Sequence, residues 1–95
     1  MLTATWCGPC KYMKNSIMHE PEVENNLNKM NVLIIDIDTN DGKIYAERFK
    51  KVGYEGSIPF IILLDLKGEV IDTGGSMTKE KFNDFILKAL NTEKK

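Results

Sequence analysis

Apolar positions along the chain change period several times, and each change marks an element. Cys10, Met13 and Ile17 follow i, i+3 and i+7, one face of a helix opening near Pro9. Pro21 ends that helix, because a residue ahead of proline, here Glu20, is pushed out of the helical region. Pro21 can then open a second helical piece that carries Val23, Leu27 and Met30 on one face. The helical period vanishes at Val32-Leu33-Ile34-Ile35-Asp36-Ile37, a β-branched run typical of a strand covered on both faces. Asp38-Thr39-Asn40-Asp41-Gly42 is a turn cluster able to cap a helix over about Lys43–Lys51, with Tyr45, Phe49 and Val52 inward. Gly53 and Gly56 mark its exit. Ile58-Pro59 opens a strand over Phe60–Leu64, Asp65–Gly68 reads as a hairpin connection, and Glu69–Asp72 as the returning strand. Thr78 is a good N-cap for a last helix with Phe82, Phe85, Ile86, Ala89 and Leu90 on one face. Leu2–Thr5 is read as a short, truncated first strand, giving the order βαβαββα with no repeat or linker.

Composition narrows this little. A chain of 95 residues with 42% apolar and 28% charged positions is expected to form one domain over 1–95, with 92–95 as a disordered tail. A net charge of −1 supplies no general attraction to nucleic acid, and lysines are scattered apart from Lys50–Lys51 and Lys94–Lys95. No stretch is long enough to span a bilayer and no basic-then-apolar leader opens the sequence, so no membrane insertion is expected of this chain. A monomer is expected. The compartment is left open: cytoplasmic if Met1 is the natural start, periplasmic or otherwise extracytoplasmic if the chain is an excised domain.

The chemistry sits in Trp6-Cys7-Gly8-Pro9-Cys10, which holds both cysteines. Two thiols separated by two residues, the first near a helix N-terminus, form a unit for thiol–disulfide exchange, because exposed first-turn N–H groups favour a thiolate. Pro9 suits the first turn, where its missing N–H costs nothing. Gly8 leaves room for a partner's backbone. A structural zinc site needs four ligands, and the further soft ligand here is His19 alone. A metal or cluster carried through Cys7 and Cys10 is therefore a weaker alternative. So is a purely structural disulfide, since so short a loop removes little unfolded-state entropy.

This order, with WCGPC between the first strand and the first helix, resembles the thioredoxin superfamily. Ile37-Asp38, Ile58-Pro59 and Gly75 after the final strand add to the likeness, which covers essentially the whole chain. The region Lys11–Leu27 resembles more closely the thioredoxin-like C-terminal domain of membrane thiol:disulfide interchange proteins and related thioredoxin-like proteins. The resemblance implies an α/β, thioredoxin-like fold in its minimal form, a four-stranded mixed sheet flanked by helices. It also implies a protein thiol–disulfide oxidoreductase in which Cys7 attacks a substrate disulfide and Cys10 resolves the mixed disulfide. Substrates would be disulfide-containing proteins, an upstream thiol reductase would return electrons, and no cofactor or metal is needed beyond the cysteine pair. Trp6, Gly8, Pro9, Ile58 and Gly75 would frame the docking surface, with Pro59 as the family's cis-proline. The Gly-Pro interior resembles that of the reducing members. A non-catalytic docking module using the same surface is the alternative from another class.

Several positions depart from the family. Asn15 stands where ordinary thioredoxins carry a kinking proline, Phe60 where a threonine follows the cis-proline, and Ile34 near the place of a lysine. Met1 stands six residues before Cys7, where a buried acid commonly helps to deprotonate the second cysteine; slower resolution of mixed disulfides is expected. His19, Tyr12 and Tyr45 are read as bystanders, and Asp36 and Asp38 as turn or capping residues.

Overall fold

The computed structural model describes residues 1–93, with side chains to residue 91. β1 (Leu2–Thr3) leads into α1 (Gly8–Asn15), a 3-10 turn (Ile17–His19) and α2 (Pro21–Leu27). β2 (Ile35–Asp36), α3 (Asn40–Phe49) and a second 3-10 turn (Lys50–Val52) follow. β3 (Ile61–Leu64), β4 (Val70–Gly74) and α4 (Lys79–Glu93) complete the described chain. Pro21 opens α2 and Glu20 ahead of it is extended (φ −63°, ψ 135°), but Pro21 does not end α1 as expected: α1 stops at Asn15 with Ser16 at its C-cap, and Ile17 of the expected helical face falls in the 3-10 turn.

The expected single four-stranded sheet is not what forms. β1 pairs in parallel with β2, β3 pairs antiparallel with β4, and one bridge between Leu2 and Phe60 joins the two sheets. Strand pairing needs an edge opposite every residue. β1 supplies that edge to two residues of β2, Ile35 and Asp36. Upstream of them Val32, Leu33 and Ile34 are 45%, 60% and 37% exposed, so the apolar run expected to be covered on both faces is open instead.

Two other boundaries move for local reasons. α3 begins ahead of Lys43 because Thr39 caps it, its Oγ1 accepting from the Gly42 N–H at 2.9 Å. β4 begins at Val70 because Asp65 holds the hairpin: its Oδ1 accepts from the N–H groups of Lys67 and Glu69, both at 2.9 Å, and Gly68 takes φ +83°. α4 runs on through Thr92 and Glu93, the first half of the expected tail; Lys94 and Lys95 lie outside the described residues.

The main core lies where α1, α2 and α4 meet β3. Met13, Ile17, Val23, Ile61, Leu63, Phe82 and Ile86 are buried in it. Of the stripe predicted for the last helix, Phe82, Phe85, Ile86 and Ala89 are all 5% exposed or less, and Leu90 is half-buried. α4 is tied to α2 by Asn26 Nδ2 donating to Asn83 Oδ1 at 2.7 Å, and to β4 by Lys88 Nζ at 2.6 Å from Asp72 Oδ2. That lysine, and then the Thr73 N–H, hold the Asp72 carboxyl below the usual carboxylate range. The stripe predicted for α3 is only half-buried, with Tyr45 stacked on Phe49 at 6.0 Å.

Candidate active site

β1 delivers the chain to the cysteines. The Ala4 carbonyl accepts from the Cys7 N–H at 3.2 Å, closing a turn that puts Cys7 at the N-cap of α1. Cys7 has extended backbone (φ −92°, ψ 108°), and Gly8 and Pro9 open the helix. The first-turn amides of a helix lack intrahelical acceptors. Here the Cys10 N–H donates to Cys7 Sγ at 3.2 Å. A donor aimed at sulfur, backed by the positive end of the helix dipole, favours the thiolate over the thiol.

Cys7 and Cys10 are joined in a disulfide, so this is the oxidised form. Cys10 is fully buried. Cys7 is the more accessible of the two, at 5% exposed. Both belong to a small cluster with Ala4, against which Ile37 and Ile58 pack. Met1, at the position of the family's acid, packs against the main core.

The Ile58–Pro59 peptide is cis, and the Ile58 carbonyl oxygen lies 3.9 Å from Cys7 Sγ. Pro59 is buried and Ile58 half-buried. Gly75 is exposed, and a Cβ added there would meet the Pro59 carbonyl at 3.6 Å, which puts it on the same rim. The fold thus brings residues from three distant stretches, Cys7, Ile58–Pro59 and Gly75, to one place. Gly8 and Pro9 are exposed beside them, with nothing within 4 Å of a Cβ built on Gly8. Phe60, in place of the family's threonine, faces buried Tyr54 with ring centroids 5.4 Å apart. Its backbone makes the bridge to Leu2.

Trp6 is 65% exposed, and its Nε1 donates to Asp38 Oδ2 at 2.8 Å. Asp38 was read from sequence as a turn residue only. Its backbone does serve the turn, donating to Asp36 Oδ1 at 2.9 Å, but its carboxylate orients the indole next to Cys7. The signal for this role was the Ile37-Asp38 pair at the end of β2. His19 Nδ1 lies 3.3 Å from Glu24 Oε2 on the surface, and Tyr12 is 56% exposed.

The thioredoxin family model matches residues 1–88, which include every residue of this site. The chain belongs to the thioredoxin family. No curated protein and no solved structure matches it. Family and cysteine pair together make it a redox-active thiol–disulfide oxidoreductase whose chemistry runs on the pair without an added cofactor. Among the described residues no group of three or more His, Cys, Asp or Glu is placed to hold a metal ion. No helix among them is long and apolar enough to cross a membrane.

Proposed function

We propose that this thioredoxin-family domain reduces disulfides in protein substrates, with Cys7 as nucleophile and Cys10 as resolving thiol. The observation that carries the assignment of roles is the Cys10 N–H donated to Cys7 Sγ at the N-cap of α1, with Cys10 fully buried behind it. In the reduced protein the Cys7 thiolate attacks one sulfur of a substrate disulfide. A Cys7–substrate bond forms and the other substrate sulfur leaves as a thiolate, which takes up a proton. Cys10 then loses its proton and attacks Cys7 Sγ. The mixed disulfide breaks, the second substrate thiol departs, and the Cys7–Cys10 disulfide remains. Two electrons have passed from the dithiol to the substrate, and an external thiol reductase returns them.

Docking in this reading falls to the rim around the sulfur: Trp6, Gly8, Pro9, Ile58, Pro59 and Gly75. The half-buried Ile58 offers backbone beside Cys7, and the open space at Gly8 admits an extended chain. The Gly-Pro interior, like that of the reducing thioredoxins, supports the direction of electron flow.

The test is turnover of a model protein disulfide such as insulin with catalytic amounts of protein and excess dithiol. Cys7→Ser is expected to reduce turnover to background. Cys10→Ser is expected to accumulate a mixed disulfide at Cys7, visible by mass. In that variant the alkylation rate of Cys7 should titrate below the ~8.5 of an ordinary thiol. Full activity of Cys7→Ser would reverse the roles, and partner binding untouched by Cys10→Ser without turnover in the parent would make the domain a docking module.

A further inference from the structure

Between the end of β2 and the start of α3 the chain turns, and two residues of that turn reach the redox site. Ile37 packs against the buried cluster of Ala4, Cys7 and Cys10, and the Asp38 carboxylate accepts from Trp6 Nε1 at 2.8 Å. Where this short backbone lies therefore sets where the indole stands beside Cys7.

One hydroxyl fixes the turn at both ends. Thr39 Oγ1 donates to the Asp36 carbonyl at 2.7 Å and accepts from the Gly42 N–H at 2.9 Å. Its single proton faces β2, and a lone pair faces the first turn of α3. The Thr39 N–H reaches the same Asp36 carbonyl at 3.2 Å, and the Ile37 N–H is held by the Thr3 carbonyl at 2.9 Å. Asp36 Oδ1 adds a second hold by accepting from the Asp38 N–H at 2.9 Å. Gly42 lets α3 approach this closely, since a Cβ there would run into the Asp36 carbonyl and Ile37 Cα.

Helix capping alone does not call for this arrangement. An N-cap oxygen has only to accept from the first turn of its helix. The Thr39 proton given to Asp36 and the Asp36 carboxylate turned to Asp38 satisfy no group of α3. They hold the segment that carries Ile37 and Asp38.

We propose that Thr39 is a positioning residue for thiol–disulfide exchange, acting through Asp38 on Trp6, with the Asp36 carboxylate as the second hold. It supplies an indole already oriented when a protein chain arrives, which lowers the ordering cost of docking. Its activity readout rests on the reductase reading above; the orientation of Trp6 is read without it.

Thr39→Val keeps the size of the side chain and loses both hydroxyl bonds, whereas Thr39→Ser keeps them. Trp6 is the one tryptophan, so its indole N–H gives a single resonance. In Thr39→Val that resonance is expected to move at least about halfway toward its place in Asp38→Ala, and in Thr39→Ser to stay. With insulin the KM should rise about threefold, the scale of a lost cap oxygen, with kcat unchanged within about twofold. Bis(2-hydroxyethyl) disulfide, which offers no chain to the rim, should turn over as in the parent. In the Asp38→Ala background Thr39→Val should raise the KM by less than about 1.5-fold, because its route to Trp6 is gone. A capping role alone would lower the melting temperature and leave the indole resonance and the insulin KM in place, and that result overturns the proposal. So does an equal loss on both disulfides, a full effect in the Asp38→Ala background, or a Thr39→Ser that behaves like Thr39→Val. If Thr39→Val does not fold, Asp36→Ala removes the second hold instead, and an unmoved indole resonance there overturns the proposal equally. If the parent reduces no insulin, the reductase reading fails by itself and the indole shifts alone decide.

Discussion

The two ends of β1 behave differently although both are apolar and both were read from sequence with the same rules. At its C-terminal end the chain turns through Ala4–Cys7 into α1, and every short-range cue is realised: the N-cap, the proline in the first turn, the sulfur facing an N–H. At its N-terminal end the Val32–Ile34 run has the residues of a buried strand and stays open. Capping is settled within four residues of sequence. A central strand depends on two neighbours that sequence can place far away. The difference shows that apolar pattern predicts the capacity for burial, while the partner decides whether burial occurs.

The comparison can be broken most sharply where α3 closes against β2. A Cβ on Gly42 would collide with the Asp36 carbonyl and its own carbon, which are backbone and cannot swing aside. Gly42→Ala is therefore expected to destabilise by about 3 kcal/mol in urea unfolding, the upper part of the usual overpacking range. If it is neutral, the downstream end of β2 is as loosely held as Val32–Ile34 and the contrast fails.

The next test concerns proton transfer. Met1→Asp, made behind an added upstream segment, should speed resolution of a mixed disulfide at Cys10 by about a hundredfold, the low end of general acid–base assistance, if the missing acid limits that step. An unchanged rate shows that Cys10 is deprotonated by another route, solvent included. A smaller effect is expected from Asp38→Ala, which releases the Trp6 indole. Turnover per unit of substrate should fall by about 3- to 10-fold, the range of one ordinary hydrogen bond since this one is exposed to solvent, with the thermal midpoint unchanged. A loss of stability instead would make the pair a fold contact rather than a feature of the site. Leu33→Ser in the 95-residue chain comes last, expected to cost less than about 0.5 kcal/mol because the side chain is already 60% exposed. A larger cost would mean that the open run is packed after all.

Several elements were legible for reasons that stay within a few residues. The break at Glu20–Pro21, the α4 stripe from Phe82 to Ala89 and the Asp65–Gly68 turn all follow from local backbone chemistry or from one face of a helix. α3 was placed too late because Thr39, Asn40 and Asp41 serve equally well in a turn or in a capped first turn. The Gly42 N–H bonded to Thr39 Oγ1 settles the choice. The sheet was overestimated because a strand's residues do not say how long its neighbour is.

At the site, sequence alone placed the cysteine pair at the start of a helix, since a thiol at a helix N-cap and a second thiol three residues on are separated by a fixed helical geometry. The family's likeness supplied Ile58, Pro59 and Gly75. Only the tertiary structure decided that the Ile58 carbonyl comes within 3.9 Å of Cys7, that Cys10 is wholly buried, and that Asp38 holds the Trp6 ring. These contacts join stretches separated by 32 and 51 residues, and no local preference encodes them. They arise when β1, paired to β2 on one side and bridged to Phe60 on the other, brings the ends of distant segments to the same edge.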